Sequence, residues 1–164
     1  MREYILRLAT VVDAPAISAI YNHYVVHSTC TYQLDPETVE ERLEWLSART
    51  EKHPVLVAES AGGVVGWASL SEHKSRCAYA HTMESSVYVH HDWHRKGIGR
   101  ALIADLIVRA RDLGHHTILA GVSADQTASI ALHEAFGFVK VAHYREVGYK
   151  FDRWLDVIYY QFML

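Results

Sequence analysis

The sequence predicts a mixed α/β fold in which one central sheet carries helices on both faces. Strand-like and helix-like segments follow one another in the order β-α-α-β-β-β-α-β-α-β-β. No repeat and no Pro/Gly/Ser linker interrupts them. The 164 residues, half of them hydrophobic, are enough for one compact core. We therefore expect residues 1–164 to form a single domain with about seven strands and four helices.

The first third of the chain is predicted to hold one strand and two helices. Residues 4–10 are strand-like, and Asp13 is placed to cap a helix that has Pro15 in its first turn. The apolar face of this helix comprises Ile17, Ile20, Tyr21 and Tyr24. Pro36 is predicted to open a second helix, which continues as far as Leu46.

The middle of the chain is predicted to form a hairpin, a longer strand and a helix. Two apolar runs, 55–58 and 64–70, flank a Gly62-Gly63 turn and indicate the hairpin. The longer strand is expected across residues 83–90. Apolar residues then recur at helical spacing and end at Gly114, a typical helix terminator. They are Leu102, Ile103, Leu106, Ile107, Ala110 and Leu113.

The last fifty residues are predicted to alternate in the same way. Residues 118–122 have the pattern of a strand, and residues 128–136 that of a helix closed by Gly137. Two further strands, at about 139–147 and 154–162, complete the expected sheet.

The charge and composition exclude several classes of partner. A formal net charge of -3 and a pI near 6.4 argue against nucleic acid or an anionic membrane surface as the main partner. No apolar run approaches the roughly 18 residues of a membrane span. The N-terminus lacks the pattern of a signal peptide, which predicts a cytoplasmic protein. The simplest interpretation of Cys30 and Cys77 is that both are reduced thiols, and a disulfide between them is the alternative.

A glycine-rich loop lies between the predicted strand at 83–90 and the helix that follows it. Residues 94–100 read His-Arg-Lys-Gly-Ile-Gly-Arg. The start of a helix presents unpaired N–H groups, and glycines let an anion approach the backbone closely. A dinucleotide fingerprint would need glycine in place of Leu102, and a P-loop would need Gly-Lys-Ser/Thr. The loop therefore indicates a different phosphate site, with an ordinary turn as the alternative.

This loop resembles the acetyl-CoA loop of the GNAT acetyltransferase superfamily, Arg/Gln-x-x-Gly-x-Gly/Ala, except that His94 stands where arginine or glutamine is usual. The resemblance implies a GNAT fold with a mostly antiparallel sheet, and acetyl-CoA as co-substrate. It also implies that backbone N–H groups of the loop bind the pyrophosphate. The residues concerned are Arg95, Lys96, Gly97, Ile98, Gly99 and Arg100.

Residues 82–89, Thr-Met-Glu-Ser-Ser-Val-Tyr-Val, are similar to a segment of the phosphinothricin and methionine sulfoximine acetyltransferases. The resemblance implies that Glu84 is the general base, which takes a proton from the acceptor ammonium. It further implies that pantetheine pairs along Val87, Tyr88 and Val89, and that the Val89 N–H donates to the thioester oxygen. The alternative for Glu84 is a solvated carboxylate at a strand end.

His133 stands where many GNAT members have a tyrosine that protonates the departing thiolate. Imidazole titrates near neutrality, so His133 can fill that role or share base duty with Glu84. A histidine on the core side of a helix is the alternative. Ser129 and Gln126 fall where the family contacts pantetheine, although asparagine is usual at position 126.

The acceptor is expected to bind near Lys74, Ser75 and Arg76. A guanidinium pairs well with a carboxylate or phosphinate, which would orient an amino acid toward the thioester. The resemblance also implies that Tyr32 walls this pocket. Relatives that accept methionine sulfoximine show Trp-Arg-x-Phe in the loop, whereas this chain has His73-Lys74-Ser75-Arg76. A different acceptor, and a purely surface role for the loop charges, both stay open.

The favoured function is direct acetyl transfer from acetyl-CoA to the amine of a small amino acid or analogue, in a ternary complex. Acetylation of a polyamine, an aminoglycoside or a peptide N-terminus is the enzymatic alternative, and a non-catalytic acetyl-CoA-binding module is the other. No metal is expected, because the twelve histidines form no HExxH motif. The resemblance also implies a homodimer, with the 148–156 hairpin near the partner's site.

Overall fold

Seven strands form one mixed sheet in the computed structural model, which describes residues 4–164. In chain order they are β1 (Ile5–Leu8), β2 (Val55–Ser60), β3 (Gly63–Glu72), β4 (Thr82–Val89), β5 (Thr117–Ser123), β6 (Val139–Lys150) and β7 (Arg153–Met163). They lie in the order β1-β2-β3-β4-β5-β7-β6. Every neighbouring pair is antiparallel except β4 and β5, which are parallel. The predicted mixed, mostly antiparallel sheet is confirmed.

Helices cover both faces of this sheet, as predicted. They are α1 (Ala14–His27), α2 (Val39–Ser47), α3 (Ile98–Asp112) and α4 (Thr127–Ala135). Successive strand residues point to opposite faces. Trp67 therefore packs with Ile17 and Leu46 beneath α1 and α2, whereas Ala68 packs with Leu102 of α3 in the larger core on the other face.

Helix α1 begins directly after Asp13, as predicted, but the cap of α1 and the start of α2 differ from the prediction. The Asp13 side chain makes no capping hydrogen bond to α1. Its carboxylate instead accepts hydrogen bonds from the Arg7 guanidinium and from the Thr10 N–H, both at 2.7 Å. Helix α2 starts at Val39 and not at Pro36, because Thr38 and Glu41 form a capping box there.

The short parallel pairing of β4 with β5 creates an opening in the sheet. The ladder runs only from Thr82 opposite Thr117 to Glu84 opposite Leu119. Beyond Glu84 the two strands continue, to Val89 and Ser123, without pairing. Backbone groups on the facing edges are thereby left available for a ligand. Within the described part of the chain, no helix combines the length and apolar character needed to cross a membrane.

Candidate active site

A cavity of about 70 Å³ lies where β4 and β5 diverge. The two strands, α4 and the segment after α1 supply its walls. Five predicted site residues come together in it: Val87, Tyr88, Gln126, Ser129 and His133. The other wall residues are Cys30, Ser85, Ser86, Ala120, Gly121, Val122 and Ser123. The fold thus assembles residues that are more than forty positions apart in the chain.

His133 is buried on the inner side of α4. Its Nδ1 lies 2.8 Å from the Ser129 carbonyl oxygen, and Phe138 and Tyr160 provide ring contacts. Burial lowers the pKa of His133. The ring is therefore neutral at neutral pH, with its proton on Nδ1 and its lone pair on Nε2.

The glycine loop joins the end of β4 to the first turn of α3. Gly97 precedes the helix in a left-handed conformation, with φ +78°, and provides no side-chain cap. The first hydrogen bond of the helix runs from the Ala101 N–H to the Gly97 carbonyl oxygen at 3.0 Å. The amides of Ile98, Gly99 and Arg100 come before it, so they lack partners within the helix. This arrangement suits a bound anion.

Tyr24, which the sequence analysis placed on a core face, connects the glycine loop to the end of β4. Its hydroxyl donates a hydrogen bond to the Val89 carbonyl oxygen and lies 2.6 Å from Nε2 of His94. Burial, and next the nearby Cys30, raise the pKa of Tyr24 to about 12. The hydroxyl therefore stays protonated at neutral pH. No local pattern separates such a tyrosine from an ordinary core residue.

Glu84 is the last residue of β4 that pairs with β5, and its side chain is about one-third exposed. Its Oε1 is 2.5 Å from Nδ1 of His73, which lies one residue beyond the end of β3. Burial, and next the charge of Glu84, raise the pKa of Tyr159. The carboxylate therefore contacts a histidine, whereas the alternative for Glu84 was a carboxylate surrounded by solvent.

The residues predicted to bind the acceptor occupy two separate places. Lys74, Ser75 and Arg76 line an open hollow of about 430 Å³ together with Tyr79. Tyr32 is not among the residues of this hollow. Its hydroxyl donates to Ser123 Oγ at 3.0 Å and to the Asp156 carbonyl oxygen at 3.1 Å. Tyr32 therefore supports the wall of the cavity between β4 and β5.

Two side chains that the sequence analysis did not connect hold the segment containing Tyr32. The buried Lys150 donates to the carbonyl oxygens of Ser28 and Thr31, each at 2.8 Å. Gln126 donates from Nε2 to Thr29 Oγ1 at 2.8 Å. The Nε2 atom of Gln126 therefore already has a hydrogen-bond partner.

Replacing Gly148 with alanine is expected to displace Tyr32. A Cβ atom at Gly148 would lie 2.6 Å from Tyr32 Cδ2, closer than side chains pack. We expect the free energy of unfolding to fall by about 2 kcal/mol and the KM of the acceptor to rise about fivefold. Urea unfolding measures the free energy of unfolding, and steady-state kinetics measure the KM of the acceptor. Gly62→Ala is the control, since nothing lies within 4 Å of the Cβ there. An unchanged unfolding free energy in Gly148→Ala would contradict the expected clash.

One group of three possible metal ligands occurs among residues 4–164, formed by His90, His91 and Asp92. The His91 ring stacks on the rings of His23 and His90, with centroids 4.0 and 4.4 Å away. The possible ligand atoms of the three residues all lie within 4.8 Å of one another. A separate hollow of about 650 Å³ near Arg49 and Asp112 is lined by none of the predicted site residues.

The comparisons with known proteins agree with this architecture. Residues 6–159 match the protein family described as Acetyltransferase (GNAT) domain. The chain is 42% identical to the L-amino acid N-acyltransferase MnaT of Escherichia coli, over 97% of this chain and 93% of that one. It is 41% identical to the L-methionine sulfoximine/L-methionine sulfone acetyltransferase of Salmonella typhimurium, over 97% and 94%. It is 36% identical to the phosphinothricin N-acetyltransferase of Streptomyces viridochromogenes, over 95% and 85%.

A solved structure extends the similarity to the whole fold. The Salmonella typhimurium acetyltransferase yncA, solved with its cofactor acetyl-CoA, superposes with a TM-score of 0.95 at 40% identity, covering 99% of this chain and 94% of that one. The resemblance read from residues 82–89 and from the glycine loop is therefore confirmed. The chain belongs to the GNAT acetyltransferase family.

Proposed function

We propose that the protein transfers the acetyl group of acetyl-CoA to the primary amine of a small amino acid or analogue, of the methionine sulfoximine or phosphinothricin type. The observation that carries this proposal is the alignment of three features along β4. Glu84 is the last residue of β4 that pairs with β5. The opening between β4 and β5 follows it, and the glycine loop with the start of α3 comes next. The names of the relatives support an amino acid as the acceptor.

The donor binds along β4. Its pyrophosphate contacts the backbone N–H groups of residues 95–100, and Arg95, Lys96 and Arg100 add positive charge. The His90 N–H bonds to the Val65 carbonyl oxygen of β3 at 2.9 Å. Because successive residues of a strand direct their N–H groups to opposite edges, the Val89 N–H points toward the opening.

Pantetheine then extends along Val87, Tyr88 and Val89 like an additional strand. The Val89 N–H donates to the thioester oxygen and stabilises the oxyanion that forms there. Ser129 and Gln126 contact the pantetheine from α4. Gln126 does so through its carbonyl oxygen, since its Nε2 is bonded to Thr29.

The chemistry proceeds by direct attack of the amine on the thioester. Glu84 takes one proton from the acceptor ammonium, directly or through a water molecule. The amine nitrogen forms a bond to the carbonyl carbon and loses its second proton to solvent, the oxyanion collapses, the C–S bond breaks, and the thiolate takes a proton from solvent. Burial raises the pKa of Cys30, so that the thiol facing the cavity is a poor nucleophile. This supports transfer without a covalent enzyme intermediate.

For His133, the geometry favours one of the two chemical roles left open by the sequence. A neutral imidazole whose Nδ1–H is bonded to the Ser129 carbonyl presents a lone pair at Nε2. Such a ring accepts a proton more readily than it donates one. We therefore assign His133 to share base duty with Glu84, and leave the protonation of the thiolate to solvent.

Further assignments concern the acceptor site, the location and the assembly of the protein. The acceptor carboxylate or phosphinate binds to Lys74, Ser75 and Arg76, and Tyr32 supports the wall of the cavity between β4 and β5. The protein acts in the cytoplasm as a single domain without a metal. It forms a homodimer in which the 148–156 hairpin lies near the partner's site. Tyr149, Phe151 and Trp154 of this hairpin are at least half exposed.

Thiol release from acetyl-CoA over a panel of acceptors tests the proposed reaction. Methionine sulfoximine, phosphinothricin, methionine and glutamate represent the favoured class, and spermidine, an aminoglycoside and a peptide N-terminus represent the alternatives. We expect kcat/KM to be highest within the favoured class. Absence of turnover with every amine, despite tight acetyl-CoA binding, would contradict the enzymatic proposal.

A further inference from the structure

His73 holds the carboxylate of Glu84 from the end of β3. Strand β3 pairs with β4 so that Ser71 lies opposite Glu84. Because side chains alternate along a strand, His73 points to the same face as Ser71 and reaches the carboxylate. The distance from His73 Nδ1 to Glu84 Oε1 is 2.5 Å, within reach of a hydrogen bond in which the imidazole N–H donates to the carboxylate.

The surroundings fix the His73 ring more firmly than those of an ordinary loop histidine. Its side chain is 18% exposed. The ring packs edge-on against Tyr79, with centroids 5.7 Å apart. Lys74 lies over the same Tyr79 ring, with Nζ 5.2 Å from its centroid. Tyr79 thus joins the imidazole that contacts Glu84 to the basic residue expected to bind the acceptor.

We propose that His73 is a positioning residue for the acetyl transfer. Its Nδ1–H donates to Oε1 of Glu84, so that the carboxylate keeps one orientation and directs Oε2 to the acceptor amine. This inference rests on the proposed function, because it takes Glu84 as the base. An oriented base is more effective than one that rotates freely, since its reactive lone pair already has the geometry of proton transfer.

Two substitutions separate the hydrogen bond from ring packing. His73→Phe keeps the ring against Tyr79 and removes the donor, whereas His73→Asn restores a donor N–H near the position of Nδ1. We expect His73→Phe to lower kcat about ten- to thirtyfold and to leave the KM of acetyl-CoA within twofold. His73→Asn is expected to stay within threefold of the wild-type kcat. His116→Phe, at an exposed histidine away from Glu84, is the matched control.

The same change in a Glu84→Gln background tests whether His73 acts through Glu84. There, His73→Phe is expected to change kcat less than twofold, because the base that it positions is gone. A wild-type kcat in His73→Phe, equal loss in His73→Phe and His73→Asn, or a full effect in the Glu84→Gln background would each overturn the positioning role. If Glu84→Gln is impaired while His73→Phe is not, this inference alone fails. If Glu84→Gln turns over like the wild type, the assignment of the base fails as well.

Discussion

Glu84→Gln is expected to lower kcat by about 10²- to 10³-fold, which is the usual effect of removing a general base. Glutamine keeps the shape of the side chain, and its amide oxygen can still accept the hydrogen bond from His73 Nδ1. The fold and the acetyl-CoA site therefore stay intact, and the KM of acetyl-CoA is expected to change less than twofold. Thiol release at saturating concentrations of both substrates measures the effect.

The pH dependence of the variant gives the sharper test. Without Glu84, fewer acceptor ammonium groups lose their proton in the site, so turnover depends more on acceptor molecules that are already deprotonated. The rate of Glu84→Gln is therefore expected to rise with pH until the acceptor amine itself has titrated, and the gap to the wild type to narrow above pH 8. Glu72→Gln, an exposed glutamate near the end of β3, is the control. Equal turnover by Glu84→Gln and the wild type would remove Glu84 as the base.

The features predicted most accurately from the sequence are those fixed by local signals. Gly114 and Gly137 follow α3 and α4 with φ +75° and +87°, a backbone conformation that glycine adopts without strain. The hairpin of β2 and β3 forms as expected, although its turn comprises Ala61 and Gly62, one residue earlier than predicted. The sequence pattern predicted that the Asp13 side chain caps α1. This prediction was wrong, because the Asp13 carboxylate binds the Arg7 guanidinium, a charged donor and therefore a stronger one than a backbone N–H of the helix.

The contacts within the site could not be predicted in the same way. Tyr24 and Val89 are 65 positions apart, and Gln126 and Thr29 are 97 positions apart. Such pairs depend on sheet order and register, which no local pattern encodes. The resemblance supplied Glu84 and the cavity residues. It could not supply His73, because the contact of His73 with Glu84 depends on the register of β3 against β4.

Gly97→Asp is expected to raise the KM of acetyl-CoA by about 100-fold, equivalent to about 2.7 kcal/mol. A Cβ at Gly97 meets only the Tyr4 hydroxyl, 3.8 Å away, so the side chain has room. Its carboxylate would lie at the start of α3, where it competes for the amides of Ile98, Gly99 and Arg100 and repels the pyrophosphate. Since none of these groups touches the reacting atoms, kcat at saturating acetyl-CoA is expected to stay within threefold.

The opposite end of α3 supplies a matched control, because Gly114 has almost the same backbone conformation as Gly97, φ +75° against +78°. Nothing lies within 4 Å of a Cβ at Gly114. Gly114→Asp therefore introduces the same charge and a similar backbone strain, of about 1 kcal/mol, without an anion site. Titration calorimetry with acetyl-CoA compares the two variants. If both weaken binding equally, strain and net charge explain the loss; if only Gly97→Asp does, the first turn of α3 holds the pyrophosphate.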